Sequence, residues 1–440
     1  MEVVKRALAT ISAVVCPGCG ALCDELEVDV EGNRIVRVRN ACSVGATKFL
    51  NYWRDRPPQP LVKDGEGFKP ISLEEAVDRI ATMLVEADYP LIYGWSLTSC
   101  EAQKLGVELA ELVGGVLDNN TTVCHGPTIL GVQEVGEPTC TLGEVKARAD
   151  LIIYWGCNPP EAHGQHPKRY TLEPRGRFRE RAERRLVVVD VRETPIARQA
   201  DRFLRIEPNH DYELLTALRL ALENEEIEED EVGGVPVREI EDLAEEMRRC
   251  EFGALFFGLG LTMTAGKYRN IDAALRLVRE LNRWTKFAIM PMRGHFNVTG
   301  ANKVSTWQTG FPYAVDLSRG HPWYNPGETT AVDILARGDN DATLVVAADP
   351  VASFPRKAVA HLVSQPLAVV DPQLSLTARM ADIVIPSAYV GIEAEGTAYR
   401  MDGVALLLKK LLEPPEGVYP DEVILRRIVD RVRALKAGGG

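Results

Sequence analysis

LVVVDVRETPIARQAD (Leu186 to Asp201) aligns without a gap to LAVVDPQLSLTARMAD (Leu367 to Asp382), with eight of sixteen positions identical. Each copy opens on an unbroken apolar run, reaches an acid (Asp190, Asp371) and closes on Ala-Arg-x-Ala-Asp. Upstream of each lies another apolar run ending in a polar-Pro pair: LIIYWG, then Asn158-Pro159, and TLVVAA, then Asp349-Pro350. Strands that are apolar throughout, not alternately, belong to parallel sheets covered on both faces. Further runs at PLIYGW and at GALFFG (from Gly253) are separated by helical patterns. One helix starts at Ser72-Leu73-Glu74-Glu75, which reads as a capping box, and another runs from about Ser99 to Val113 until Gly114-Gly115 stops it. The repeat therefore predicts an α/β protein with two related Rossmann-like units.

The 440 residues leave room for two to four domains of ~100–200 residues each. With 51 basic and 63 acidic residues the formal charge is −12, which argues against nucleic acid as the main partner. The densest apolar stretch, ALFFGLGL from Ala254, falls short of the ~18 residues of a membrane span. MEVVKRALATISAVVC imitates a secretory leader but runs into CPGCGALC, too cysteine-dense for a cleavage region, so the expected location is cytoplasmic.

Nine cysteines are too few for a disulfide scaffold, and four are clustered: Cys16, Cys19, Cys23 and Cys42, spaced C-x2-C-x3-C-x18-C. Pro17-Gly18 and Gly20 let a tight loop present the first three. The fourth returns after LEVDVEGNRIVRVR, whose alternation predicts a hairpin turning at Glu31-Gly32-Asn33. Four thiolates suit either an iron–sulfur cluster or zinc; a single C-x2-C knuckle is atypical of structural zinc.

No G-x-G-x-x-G or G-x-x-x-x-G-K-[ST] string supports NAD, FAD or ATP; Gly258-Leu259-Gly260 is a lone G-x-G after a strand. In parallel sheets ligands gather beyond the carboxyl ends of strands, where Cys157-Asn158-Pro159, Asp190, Asp349 and Asp371 fall. Each acid there could read a ribose or a guanine edge, or simply cap the next helix.

Several strings together resemble the molybdopterin-guanine-dinucleotide oxidoreductases. GCNPPEAHGQHP (Gly156 to Pro167) resembles that family's G-x-N-P-x-E-x-H-P loop, with extra residues that leave either His163 or His166 as the matching histidine. VVDVRETPIARQAD resembles the segment that sets an acid against guanine. IEPNHDYELLTAL takes the place of the P-G-T-D loop, departing from it at Asn209-His210-Asp211. PMRGHFNVTGA resembles R-G-x-x-N-V-x-G-A, and ADIVIPSAYVGIEAEGTAYRMDGVA resembles A-D-V-V-L-P … E-x-E-G-T. The likeness runs in the family's order from Cys16 to about residue 410. It implies two molybdopterin guanine dinucleotides around tungsten or molybdenum, with an inorganic sulfide ligand, and a [4Fe-4S] cluster on Cys16, Cys19, Cys23 and Cys42. Cofactor contacts are implied at Gly156, Asn158, Pro159, Glu161, His163, Asp190, Arg192 and Asp211, then Gly258, Gly260, Arg293, Gly294, Asn297, Asp349 and Asp371.

Within the family, TTVCHGPTILG is most similar to the catalytic subunits of the formylmethanofuran dehydrogenase branch. The resemblance makes Cys124 a tungsten or molybdenum ligand, His125 a proton relay and Arg293 the guanidinium that orients carbon dioxide and holds formate. Electrons would arrive through the cluster, and formate would pass to a partner amidohydrolase subunit that formylates methanofuran. A pterin-capping subunit and polyferredoxin-type iron–sulfur subunits are the other implied partners. The chain stops soon after E-G-T, where formate dehydrogenases continue into a C-terminal pterin-capping domain, so that domain is expected on another chain. The competing readings are a formate dehydrogenase catalytic subunit and a pterin-free electron-transfer scaffold, which has no reason to keep Cys124, His125 and Arg293.

One departure is Cys42-Ser43-Val44-Gly45, which puts Val44 where formate dehydrogenases often have lysine; Lys48 is near but out of register. The expected layout is a cluster domain over 1–56, to which 391–413 returns. A first pterin-binding domain takes 57–142, 310–390 and 414–440, and a second takes 143–309.

Overall fold

The computed structural model describes residues 8–65 and 67–438. Two compact units emerge from it: Met1–Val123, His295–Arg400 and Ala405–Gly440 form one, Cys124–Gly294 with Met401–Val404 the other. The chain thus crosses between units at Val123/Cys124 and Gly294/His295, not near 142 and 309, and the segment expected as a cluster domain lies inside the first unit. The physical reason is shared packing: Val15 and Leu22 of the cysteine loop form one apolar cluster with Phe296, Val390, Ala398 and Leu408.

The first unit is built on a nine-stranded sheet. Its middle five strands, in spatial order Val116–Asn119, Pro90–Gly94, Ala342–Val346, Leu367–Asp371 and Ile383–Pro386, are parallel. Antiparallel strands the sequence did not announce extend both edges, Leu61–Asp64 with Gly67–Pro70 on one side and Val315–Asp316 with Trp323–Tyr324 on the other. The apolar runs divide by alternation. Ile92, Leu344, Val346, Ala368 and Val370 pack under the helices Leu73–Glu86, Cys100–Val113 and Asp421–Gly438, whereas Leu91, Tyr93, Val345 and Val369 pack beneath Ala331–Arg337 and Arg356–Leu362. Each such fully buried aliphatic side chain contributes roughly 1.5–3 kcal/mol of burial free energy.

The capping box at Ser72 is half made: its hydroxyl accepts from the Glu75 amide at 3.0 Å, but the Glu75 carboxylate bonds Arg79. Ser99 caps the second helix, and Gly114 ends it in the left-handed conformation. The leader-like segment is an edge strand, Leu8–Val14, paired to the predicted hairpin Leu26–Glu31/Ile35–Arg39; its basic start lies outside the described residues.

The second unit carries a five-stranded parallel sheet in the order Arg202–Arg205, Arg185–Asp190, Leu151–Trp155, Phe252–Phe257, Lys286–Pro291. The repeat is visible as duplicated hydrogen bonds. Asp201 accepts from the Leu186 amide at 2.7 Å as Asp382 does from Leu367 at 3.0 Å, so each Ala-Arg-x-Ala-Asp ending ties back to the start of its strand. Asp190 and Asp371 each accept from the amide two residues on, at 3.3 and 2.8 Å. Among the described residues no helix is long and apolar enough to cross a membrane.

Gly94 tests the central crossing of the first sheet. At φ +130°, a Cβ there would lie 2.0 Å from the Val346 carbonyl oxygen. Gly94→Ala should therefore destabilise the first unit by more than about 3 kcal/mol, in the tail of single-substitution effects. A thermal midpoint within a degree or two of wild type would refute that account of the crossing.

Candidate active site

In the first unit, Cys16, Cys19 and Cys23 occupy the loop between Leu8–Val14 and Leu26–Glu31, and Cys42 caps the helix Ser43–Asn51. The loop is closed by the Cys16 amide on the Cys23 carbonyl at 2.8 Å and the Leu22 amide on the Cys19 carbonyl at 3.1 Å. Among the described residues none of the four is in a disulfide, and the first three are buried. Burial pushes Cys19 up to about 12 and Cys16 well above the ordinary thiol value, and the neighbouring cysteines raise both further. Two glycines make room. A Cβ on Gly45 would stand 2.8 Å from the Cys16 Sγ and one on Gly18 3.2 Å from it. Among the described residues no three His, Cys, Asp or Glu side chains close tightly enough to hold a single metal ion. A cysteine-rich loop cleared by glycines, whose buried thiols would need a cationic centre to ionise, fits a thiolate-held metal centre.

Lys48 lies on the same helix, its ammonium 4.8 Å from the Tyr389 ring centre, in a cavity of about 480 Å³ lined also by Thr47, Asn51, Tyr52 and Gln373. Asp371 adjoins it. Burial raises Asp371 to about 7, Asp421 adds to that rise, and Lys48 opposes it. Asp349, by contrast, is a helix cap: Oδ1 accepts from the Thr377 amide and hydroxyl at 2.9 and 2.6 Å, and Oδ2 from the Leu376 amide at 3.3 Å. Asn297 is a fully buried junction, its side chain donating to the Thr98 carbonyl and accepting from the Tyr399 amide.

In the second unit Cys124, His125, His163 and Arg293 come together. Cys124 is partly exposed. Burial lifts its thiol to about 11, while the Arg293 guanidinium and the Gly294 amide pull the other way. The Thr262 hydroxyl fixes the Cys124 carbonyl at 3.1 Å. His125 is fully buried at the start of the helix Gly126–Val135, shares a 3.0 Å hydrogen bond from Nδ1 with the Thr128 hydroxyl and lies against the Met292 backbone. Burial, then Arg293 and His163, push the imidazole down to about 3, so it is neutral at pH 7. Arg293, 8% exposed, is lowered by burial and supported by Glu137, a residue the sequence reading missed because nothing in E-V-G-E-P marks it as a counter-ion.

The two histidines make different contacts. His163 Nε2 donates to the Arg293 carbonyl at 2.8 Å, whereas His166 bonds Tyr154 at 2.9 Å and packs against Phe256 in the core. Gly156, Gly258 and Gly260 serve close approach: a Cβ on Gly260 would be 2.6 Å from the Gly156 Cα, and one on Gly258 2.6 Å from Cys157. Asn158 accepts from Ile196 at 3.3 Å and keeps a buried Nδ2 without a partner. A Cβ on Gly294 would meet nothing within 4 Å. Asp211 gives one oxygen to the Trp155 indole at 2.7 Å, and Glu161 and Arg192 are exposed. Among the described residues, an orphaned buried donor on Asn158 and open space at Gly294 fit a bulky polar ligand at these strand ends.

The molybdopterin oxidoreductase family matches residues 56–431. The chain is 52% identical over 427 residues to the B subunit of a tungsten-containing formylmethanofuran dehydrogenase 2 from Methanocaldococcus jannaschii, covering 96% of this chain and 98% of that one. It is 48% identical over 441 residues to the protein of the same name from Methanococcus maripaludis, covering 99% and 100%. Among solved structures, the fold is similar to a chain of the formyltransferase/hydrolase complex of Methylorubrum extorquens, with TM-score 0.70 at 22% identity, over 86% of this chain and 99% of that one.

Asp421 isolates the electrostatics of the first unit. It is 1% exposed, accepts from the Thr98 hydroxyl at 2.6 Å, and burial raises it from 3.8 to about 6. A raised acid stabilises the fold fully below pH ~4 and loses that contribution as pH rises through about 6. In cofactor-free protein, Asp421→Asn should match wild type at pH 4 and exceed it at pH 8 by on the order of 2 kcal/mol. Denaturant midpoints that shift equally at both pH values would contradict this.

Proposed function

The chain belongs to the molybdopterin oxidoreductase family, alongside the B subunits of tungsten-containing formylmethanofuran dehydrogenases, and from that premise we propose that it reduces carbon dioxide to formate as the catalytic subunit of such a complex. The observation that carries this reading is the meeting of a thiol, a neutral imidazole and a buried guanidinium at Cys124, His125 and Arg293.

The balance is CO2 + 2e⁻ + H⁺ → HCOO⁻. A tungsten or molybdenum centre on two molybdopterin guanine dinucleotides, completed by sulfide, supplies the two-electron chemistry when bound. Cys124 is its protein ligand, and coordination offsets the burial that otherwise keeps this thiol protonated. His125 is proposed as the proton carrier: a neutral imidazole accepts or gives a proton without a standing charge in a dry site. Arg293 forks two donors toward a carboxylate and stays cationic beside Glu137. Asp190 and Asp371, equivalent in the repeat and each using one oxygen on a local amide, are the acids left to read the two guanines. Asp211 and Asp349 already have internal duties.

Cys16, Cys19, Cys23 and Cys42 are proposed to hold a [4Fe-4S] cluster that delivers electrons, with Gly45 clearing Cys16. Partners are proposed to be a pterin-capping subunit, polyferredoxin-type subunits, and an amidohydrolase subunit that condenses formate with methanofuran in a cytoplasmic complex.

The complex purified without oxygen should contain, per copy of this chain, one tungsten or molybdenum, two pterin dinucleotides and about four irons. Iron without pterin would instead indicate an electron-carrying scaffold. Cys124→Ala should abolish formate-dependent dye reduction. Arg293→Lys, which keeps the charge but loses the fork, should lower kcat/KM by at least about tenfold, and unchanged turnover would remove the fork from the account. Gly45→Ala should lower iron content while tungsten is retained.

A further inference from the structure

Three hydrogen bonds mark the path of the Arg293 turn. The Met292 amide donates to the Phe257 carbonyl at 2.8 Å and the Arg293 amide to the Pro291 carbonyl at 3.1 Å, which brings the chain off the strand Lys286–Pro291. The Arg293 carbonyl is then met by His163 Nε2 at 2.8 Å. A carbonyl only accepts, so Nε2 carries the proton, and burial keeps the ring neutral by lowering its pKa.

His163 is itself held. Its amide donates to the Pro159 carbonyl at 2.7 Å, and its carbonyl accepts from the His166 amide at 2.7 Å. His166 is pinned by the Tyr154 hydroxyl, and that hydroxyl also bonds Thr171 at 2.7 Å. The core of the sheet is thereby linked to one carbonyl in the turn bearing the guanidinium.

We propose that His163 is a positioning residue for Arg293, setting the turn that aims the guanidinium at a carboxylate, and does not contact a cofactor. The inference rests on the carbon dioxide/formate reading of Cys124, His125 and Arg293. Its physical basis is that a carboxylate clamp tolerates little displacement, and that removing a donor from a buried carbonyl leaves that carbonyl free to turn toward another partner.

The test uses the intact complex with its partner subunits, formate as the varied substrate and a viologen dye as acceptor. His163→Leu should raise KM for formate about tenfold or more with a smaller fall in kcat, while tungsten, pterin and iron stay at wild-type content. His163→Gln, whose amide can still donate, should recover most of the loss. On an Arg293→Ala background His163→Leu should change kcat/KM by less than about twofold, because its effect passes through the arginine. Loss of pterin or tungsten with KM unchanged would make His163 a cofactor contact and overturn the proposal, as would an undiminished effect on the Arg293→Ala background. If His163→Leu does not assemble, His163→Asn, with a shorter reach, is compared with His163→Gln; equal KM values would overturn the proposal. A wild-type complex without tungsten or molybdenum, or without formate-dependent dye reduction, would defeat the functional reading itself, whatever the variants do.

Discussion

Both sheets bury apolar side chains on both faces, and this constraint decides where chemistry can occur. A strand such as Leu367–Asp371 has no solvent side, so a polar group is tolerated only where the strand ends. Asp190, Asp371, Asn158 and Asp349 all stand at such ends. The same burial that stabilises the sheets withdraws water from these groups, which is why Asp190 and Asp371 are pushed upward. Fold stability and site electrostatics therefore have one cause.

Much of the fold was legible because it is periodic and local. Apolar runs with helices between them gave the parallel strands, and the Ala-Arg-x-Ala-Asp endings gave the duplication. The reason for those endings became visible only in three dimensions, where Asp201 and Asp382 tie back to Leu186 and Leu367. What escaped the sequence depends on partners far apart in the chain. Leu8–Val14 resembled a leader because its apolar run is short and follows basic residues, yet it pairs with Leu26–Glu31. The antiparallel edge strands carry too few residues for a pattern. The buried ion pair of Arg56 with Glu393, at 2.7 Å, joins the proline-rich break to the E-x-E-G-T segment without any signal in either. The cysteine loop packs against Ala398 and Leu408, within the 391–413 segment expected to return to it, and also against Phe296, and all of these lie in one larger unit.

The candidate site was legible in a different way. Cys124, His125 and Arg293 were paired by resemblance alone, since no spacing rule joins residues so distant in sequence. Their juxtaposition in one unit gives that pairing a physical content. Glu137 and Thr128 escaped notice because an acid after a helix end and a threonine inside a helix are ordinary surface and core residues until a guanidinium or an imidazole is set beside them. Two histidines in HGQHP looked interchangeable, but their backbone positions send one ring to a carbonyl and the other into an aromatic core.

The cluster loop and the Cys124 site handle sulfur differently, and the difference follows from charge. In the loop, burial raises the Cys16 and Cys19 thiols and the neighbouring cysteines add to that rise, so each deprotonation would make the next harder unless a cationic centre neutralised the set. At Cys124, Arg293 and the Gly294 amide already favour the anion against burial. On the proposed reading one site would depend on its metal for electrostatic balance, whereas the other brings the Arg293 guanidinium, which would also serve an incoming carboxylate. Arg293 can do both only while its turn is fixed, because a guanidinium free to move toward the thiolate or toward Glu137 would be a counter-ion and no longer a clamp.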